Sequence, residues 1–146
     1  RLAERGDQLH LRFNFQLSND SLLPLEKFSV GGLDSVRGYR TNQLVRDEGY
    51  TASAEYRRPI FANPSGWRNL QVAAFVDRGW AKDKLEPNPS PSGLTGYGLG
   101  LIWSPSARYF AEVYVAGRTK APQQTGHSLQ DDAVYFRFGV FPFRPG

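Results

Sequence analysis

The decisive stretch runs Phe28-Ser29-Val30-Gly31-Gly32, then Val36-Arg37-Gly38-Tyr39, then Asp47-Glu48-Gly49, and closes on Glu55-Tyr56-Arg57-Arg58-Pro59. A glycine pair leads to an arginine on a tight Gly-Tyr turn, and an alternating segment with a glutamate near its end follows. Within that segment Tyr50, Ala52, Ala54 and Tyr56 share one face, and Thr51, Ser53, Glu55 and Arg57 share the other. Side chains of a strand alternate between faces, so the pattern predicts a strand over 50–58 with one oily and one wet side. Pro59 lacks a backbone donor and is expected to end it.

Upstream, Leu9, Leu11, Phe13, Phe15 and Leu17 alternate with His10, Arg12, Asn14 and Gln16. A helix would scatter those apolar residues around its circumference, so this is a second strand, 8–17. The segment between the two, 18–48, carries Pro24, Gly31, Gly32 and Gly38. A structureless connection of that length is unusual in a compact domain and is commonly functional. Downstream the same reasoning gives strands at 70–79, 95–103, 108–116 and 133–141. Leu70, Val72, Ala74 and Val76 form one face of the first of these, and Phe75, Asp77 and Gly79 fall on the other. In the next, Tyr97, Leu99, Leu101 and Trp103 oppose Gly96, Gly98 and Gly100. Short turns are expected at 63–66 and 104–106, and polar loops at 82–93 and 121–132.

Long connections thus follow the first, third and fifth strands, and short turns follow the second and fourth. Transmembrane barrels carry long loops on one side of the membrane and short turns on the other. Each strand is near the roughly 9–11 residues needed to cross at a tilt. The fold class is therefore all-β: part of an antiparallel transmembrane β-barrel, with the long loop folded into its lumen and Arg37 at the loop tip. The negative mean hydropathy is compatible with this, because half of each strand faces a polar interior.

Composition excludes other classes. The 146 residues hold no Cys and two His, so thiol chemistry and cysteine metal sites are out. The net charge of +4 is scattered, with no basic arm for nucleic acid. No apolar run of about 18 residues offers a membrane helix. The chain opens on Arg1 and contains no Met, which reads as a piece of a longer product.

The blocks Leu25-Glu26-Lys27-Phe28-Ser29-Val30-Gly31-Gly32, Val36-Arg37-Gly38-Tyr39, Asp47-Glu48-Gly49, Glu55-Tyr56-Arg57-Arg58-Pro59 and Phe75-Val76-Asp77-Arg78-Gly79 resemble the two-partner-secretion transporters. This is the ShlB/FhaC/HecB (TpsB) family, of the same superfamily as BamA. The resemblance implies a barrel of roughly sixteen strands in the Gram-negative outer membrane, with this chain supplying the last six. The periplasmic POTRA domains and earlier strands are absent from it. The resemblance also implies a pore that exports a large secreted partner protein, haemolysin- or adhesin-like, with no cofactor and no enzymatic step. The remaining partner would be outer-membrane lipid. In that family the loop arginine reaches an aspartate on the inner wall, which carries over here to Arg37 and Asp77. Glu55, Arg57 and Glu112 are expected as lumen charges, and Gly31 and Gly32 as the residues that let the loop fold tightly.

Competing readings rest on less. Within the superfamily the chain could belong to an assembly factor or to a patatin-like phospholipase barrel; outside it, to a soluble β-sandwich or small-barrel binding domain. His10 with Asp34 or Asp77 and Ser35 could be cast as a hydrolase triad, but no Gly-x-Ser-x-Gly elbow exists. Gly96, Gly98 and Gly100 lie on one strand face with no helix following, which is wrong for a phosphate cradle and right for leaving lumen space. Tyr97, Trp103, Tyr109 and Trp67 suit an interfacial girdle or a lipid-facing surface.

Overall fold

The computed structural model describes residues 6–61, 69–85, 87–106, 108–119 and 133–141. The expected turn at 63–66, the loop at 121–132, Trp67 and His127 lie outside them. The described residues form eight strands: β1 (Gln8–Gln16), β2 (Phe28–Val30), β3 (Leu44–Arg46), β4 (Glu48–Phe61), β5 (Leu70–Lys82), β6 (Gly93–Ser106), β7 (Tyr109–Arg118) and β8 (Val134–Val140). Six of them form one sheet in the order β1-β4-β5-β6-β7-β8. Every neighbouring pair is antiparallel, and β1 and β8 are not joined, so the sheet is an open section of wall.

The two faces of this wall are inverted relative to a water-soluble protein. Leu11, Phe13, Leu99 and Phe136 stand on the outer face, the last 82% exposed. The inner face buries Thr51, Glu55, Phe75 and Asp77. A bare apolar face this large is unsustainable in water and natural against lipid. Outward Trp103 lies opposite Leu70, ten positions before Trp80. At about 3.3 Å per residue and a tilt of about 40°, the two tryptophans are roughly 25 Å apart in height, the thickness of a barrel's apolar band.

The core lies between the wall and the segment 17–47, which is folded against the inner face. Val30, Val36, Tyr39 and Leu44 from the segment pack with Ala81 and Leu94 from β5 and β6. A second cluster, Ala73, Phe75, Ile102 and Tyr114, is contributed by β5, β6 and β7 and is joined by Leu33 of the segment. Each fully buried Val or Leu contributes about 1.5–3 kcal/mol. The segment is therefore seated by hydrophobic burial as well as by its arginine.

Several sequence expectations are corrected here. The segment 18–48 is not structureless: β2 and β3 pair as a small antiparallel hairpin, Phe28 opposite Arg46 and Val30 opposite Leu44. Strands this short carry no readable period, and burial of Val30 and Leu44 holds them in place. Pro59 does not end its strand, because β4 runs on to Phe61 with a register shift between Pro59 and Phe61. The β1 ladder stops at Arg57, so a missing donor at Pro59 breaks no bond on that side, and a bulge tolerates proline on the other. Pro105 sits likewise within β6, where the register against β7 shifts between Trp103 and Ser106. The strand expected over 70–79 extends to Lys82, and that over 95–103 spans Gly93–Ser106.

The wall is hollowed where the loop enters. A Cβ on Gly96 would lie 1.8 Å from the Arg37 carbonyl oxygen, and one on Gly79 would lie 2.3 Å from Val30. Gly98 and Gly100 make room for something else: Phe75 and Tyr114 side chains occupy the space beside them. In Gly96→Val the loop must therefore leave its seat while the outer face is untouched. We expect the barrel to keep its heat-modifiable gel mobility and trypsin to gain access to Arg37 and Arg40; resistance equal to wild type would contradict this packing.

Candidate functional site: a buried arginine on the inner wall

Two backbone features deliver Arg37 to the wall. Gly31 and Gly32 adopt φ values of +119° and +97°, a region closed to most L-residues, and turn the chain out of β2. Gly38 has φ +97°, and a Cβ there would approach the Gly117 carbonyl oxygen at 2.8 Å. The turn therefore presses its backbone against β7. The Gly38 N–H donates to the Tyr135 hydroxyl at 2.9 Å, and that hydroxyl donates to the Tyr39 carbonyl at 2.9 Å. Tyr39 is itself fully buried and donates to the Thr95 carbonyl at 3.2 Å.

Arg37, 4% exposed, reaches β4, β5 and β7 at once. Its Nε donates to Asp77 Oδ2 at 2.8 Å and its Nη2 to Asp77 Oδ1 at 2.9 Å, the planar fork-to-fork geometry that only arginine supplies. Its backbone N–H adds a bond to Asp77 Oδ2 at 3.1 Å. Nη1 donates to Glu55 Oε2. The Ser53 hydroxyl donates to Asp77 Oδ1 at 2.6 Å. The guanidinium carbon stands 3.6 Å from the centre of the Phe75 ring and 4.9 Å from that of Tyr114. Cation–π attraction grows when the cation is desolvated, as here. Tyr114 donates to Glu55 Oε1 at 3.2 Å, and Arg57 Nε donates to the same oxygen at 2.6 Å. Two arginines thus balance two carboxylates, and the cluster is neutral.

Other residues singled out in the sequence lie elsewhere. Val36 is fully buried in the hydrophobic cluster beside Val30, and Gly79 provides the space for both. Glu112 lines the open cavity next to Arg12, Arg57 and Arg137 and forms no ion pair among the described residues. No triad assembles around His10: its ring meets Gln8, Asp34 pairs with Arg137, and Ser35 Oγ accepts from the Gly31 N–H. Sequence reasoning missed Tyr114, Tyr135 and Ser53, and it read Glu55 only as a lumen charge. Alternation from Glu112 to Tyr114 and from Ser53 to Glu55 puts them on the inner face, but register across strands decides which meet.

A second polar cluster ties the legs of the loop at the end of the wall that bears the long connections. Asp47, fully buried, accepts from the Lys84 N–H at 2.8 Å and the Leu22 N–H at 2.9 Å. Lys27 bridges Asp47 at 3.2 Å and Asp83 at 2.7 Å. Arg46 Nη2 donates to the Pro89 carbonyl at 2.7 Å and Nη1 to Asn88 at 3.0 Å. The β2–β3 hairpin is thereby fastened to the connection between β5 and β6. The Lys84 and Leu22 amides, aided by Lys27 and opposed by burial, hold the Asp47 carboxyl down at about 2. Asp83 and Asp47 raise the Lys27 ammonium above its ordinary value.

The inverted faces define a section of an outer-membrane β-barrel wall, with the segment 17–47 folded against its inner face. Residues 2–102 match the family of the haemolysin secretion/activation proteins ShlB/FhaC/HecB, and the chain belongs to that family. It is a two-partner-secretion type protein of the Gram-negative outer membrane. Comparison with curated proteins and with solved structures finds no match.

The depressed Asp47 carboxyl sets a pH dependence. A carboxylate whose folded value lies below its ordinary 3.8 stabilises fully above that value and loses its effect as pH falls towards about 2. In the whole protein, the thermal-stability difference between wild type and Asp47→Asn should stay level from neutral pH to about 5 and shrink below about 4. A difference that grows on acidification would contradict the assignment.

Proposed function

We propose that this chain supplies six strands of a barrel of about sixteen, through which a large partner protein is exported to the cell surface. POTRA domains upstream would capture that partner in the periplasm. The partner, a haemolysin- or adhesin-like exoprotein, passes unfolded along a polar lumen. No covalent chemistry is required of the wall.

Arg37 acts as the latch that fixes the loop within the lumen, with Asp77 as its principal partner and Glu55 as its second. The observation that supports this reading is the desolvated fork between Arg37 and Asp77, 2.8 and 2.9 Å long, on a wall residue that is 0% exposed. Removing one member of a buried ion pair costs about 3–5 kcal/mol, because the remaining charge is stranded. Every 1.4 kcal/mol changes a two-state ratio about tenfold, so losing Arg37 shifts the loop strongly away from this position even though its hydrophobic seat remains.

Arg37→Ala should therefore lower secretion of the partner while the barrel remains inserted, as judged by heat-modifiable mobility in outer-membrane fractions. Arg37→Lys, which keeps the charge and loses the fork, should fall between the two. Export at the wild-type level in Arg37→Ala would overturn the latch.

A further inference from the structure

On β5 the outward residues run Val76, Arg78, Trp80 and Lys82, and the strand is flanked on both sides by β4 and β6. The exposure of Arg78 is thus a property of the wall and not of an open edge. An arginine here is a puzzle. It sits just inside the Trp80 girdle on a face that meets lipid, where a cation is disfavoured unless its head reaches the polar layer. Its Nη1 donates to the Thr95 hydroxyl at 2.8 Å, and it meets no carboxylate among the described residues. Lys82 stands on the other side of the indole, its Nζ 5.8 Å from the Trp80 ring. Lys82 and Lys84 share a single carboxylate, Glu48, at 2.9 and 2.6 Å. Arg78, Lys82 and Lys84 against Glu48 leave this patch two positive charges in excess.

Beside the cations lies an aromatic groove. Phe13, Tyr50 and Trp80 stack in sequence with ring centroids 6.3 and 6.2 Å apart, and Phe15 and Leu17 extend the apolar surface toward the long-loop end. Long connections mark the cell exterior in outer-membrane barrels, so the groove faces the outer leaflet. We infer that Arg78 and Lys82, with the groove of Phe13, Tyr50 and Trp80, form a site for a phosphorylated, multiply acylated glycolipid of the outer leaflet. The two cations take a phosphate from either side of the indole, and an acyl chain lies along the stacked rings. Arginine suits phosphate through the same fork that suits carboxylate. Glu48 tempers the site by holding the two lysines at the headgroup level.

The test uses the whole transporter purified from outer membranes in a mild detergent. It is titrated with lipid A and with lipid A stripped of its phosphates, and bound lipid is counted by native mass spectrometry. Wild type should prefer the phosphorylated form about tenfold or more, the effect of one to two charge-assisted hydrogen bonds. Arg78→Gln with Lys82→Gln should abolish the preference, Arg78→Lys should keep most of it, and heat-modifiable mobility reports that each variant is folded. Equal binding of both lipids by wild type would leave only an apolar groove and overturn the site. An unchanged preference in the folded double variant, or displacement of the lipid by inorganic phosphate, would do the same.

Discussion

The structure depends on one buried cation. Arg37 is 4% exposed, and it is drawn from a loop into the inner wall, not from a strand already in it. A desolvated guanidinium is tolerable only if its donors and its charge are met on arrival. Asp77 meets the fork, Glu55 meets the remaining Nη1, and Phe75 and Tyr114 supply aromatic faces. The converse constraint is as strict. Without the loop, Asp77 would have no cation and Glu55 would have only Arg57 among the described residues. Wall and loop are each electrostatically incomplete alone, so the loop's position is specified by the wall's charge pattern.

Steric design follows the same logic. The ladder places Asp77 opposite Gly96 on one side and Ser53 on the other. The small neighbours are what let a backbone come close enough for Arg37 N–H, and not only its side chain, to bond Asp77. Large residues next to Asp77 would have held the loop too far away for that backbone bond. Close approach thus explains the glycine in the wall, and the two-bond fork explains the arginine at the tip.

The faces of the wall were legible in the sequence because a strand's period is strict and lipid demands an apolar outer surface: Leu99 and Leu101 against Gly98 and Gly100 admit one assignment. The inward aim of Asp77 followed from the same count. Three things were not legible. Pro59 and Pro105 read as stops, since only the register of neighbouring strands shows that a ladder position was vacant or bulged. The β2–β3 hairpin is too short for periodicity and exists because Val30 and Leu44 are buried by other strands. The joint role of Glu55, Tyr114 and Tyr135 depends on register between residues that are 59 positions apart in one pair and 97 in another, Glu55 with Tyr114 and Gly38 with Tyr135.

The loop is held at two places whose physics differ. At the rim Lys27 and Asp83 are partly exposed, 22% and 21%, so salt within a Debye length of about 8–10 Å screens them. At the tip the Arg37–Asp77 fork excludes solvent, and ionic strength reaches it weakly. Acid acts at the rim too: among the described residues Asp47 is the rim carboxylate that holds two backbone amides, and protonation weakens both bonds. The rim is therefore exposed to the medium and the tip is shielded from it. In the export role proposed above, a polypeptide entering the lumen would bring backbone donors and acceptors to Ser53, Glu55 and Arg57, the groups that border the tip. It would compete there directly, without first loosening the rim, and the hairpin would stay fastened while Arg37 exchanged its partners.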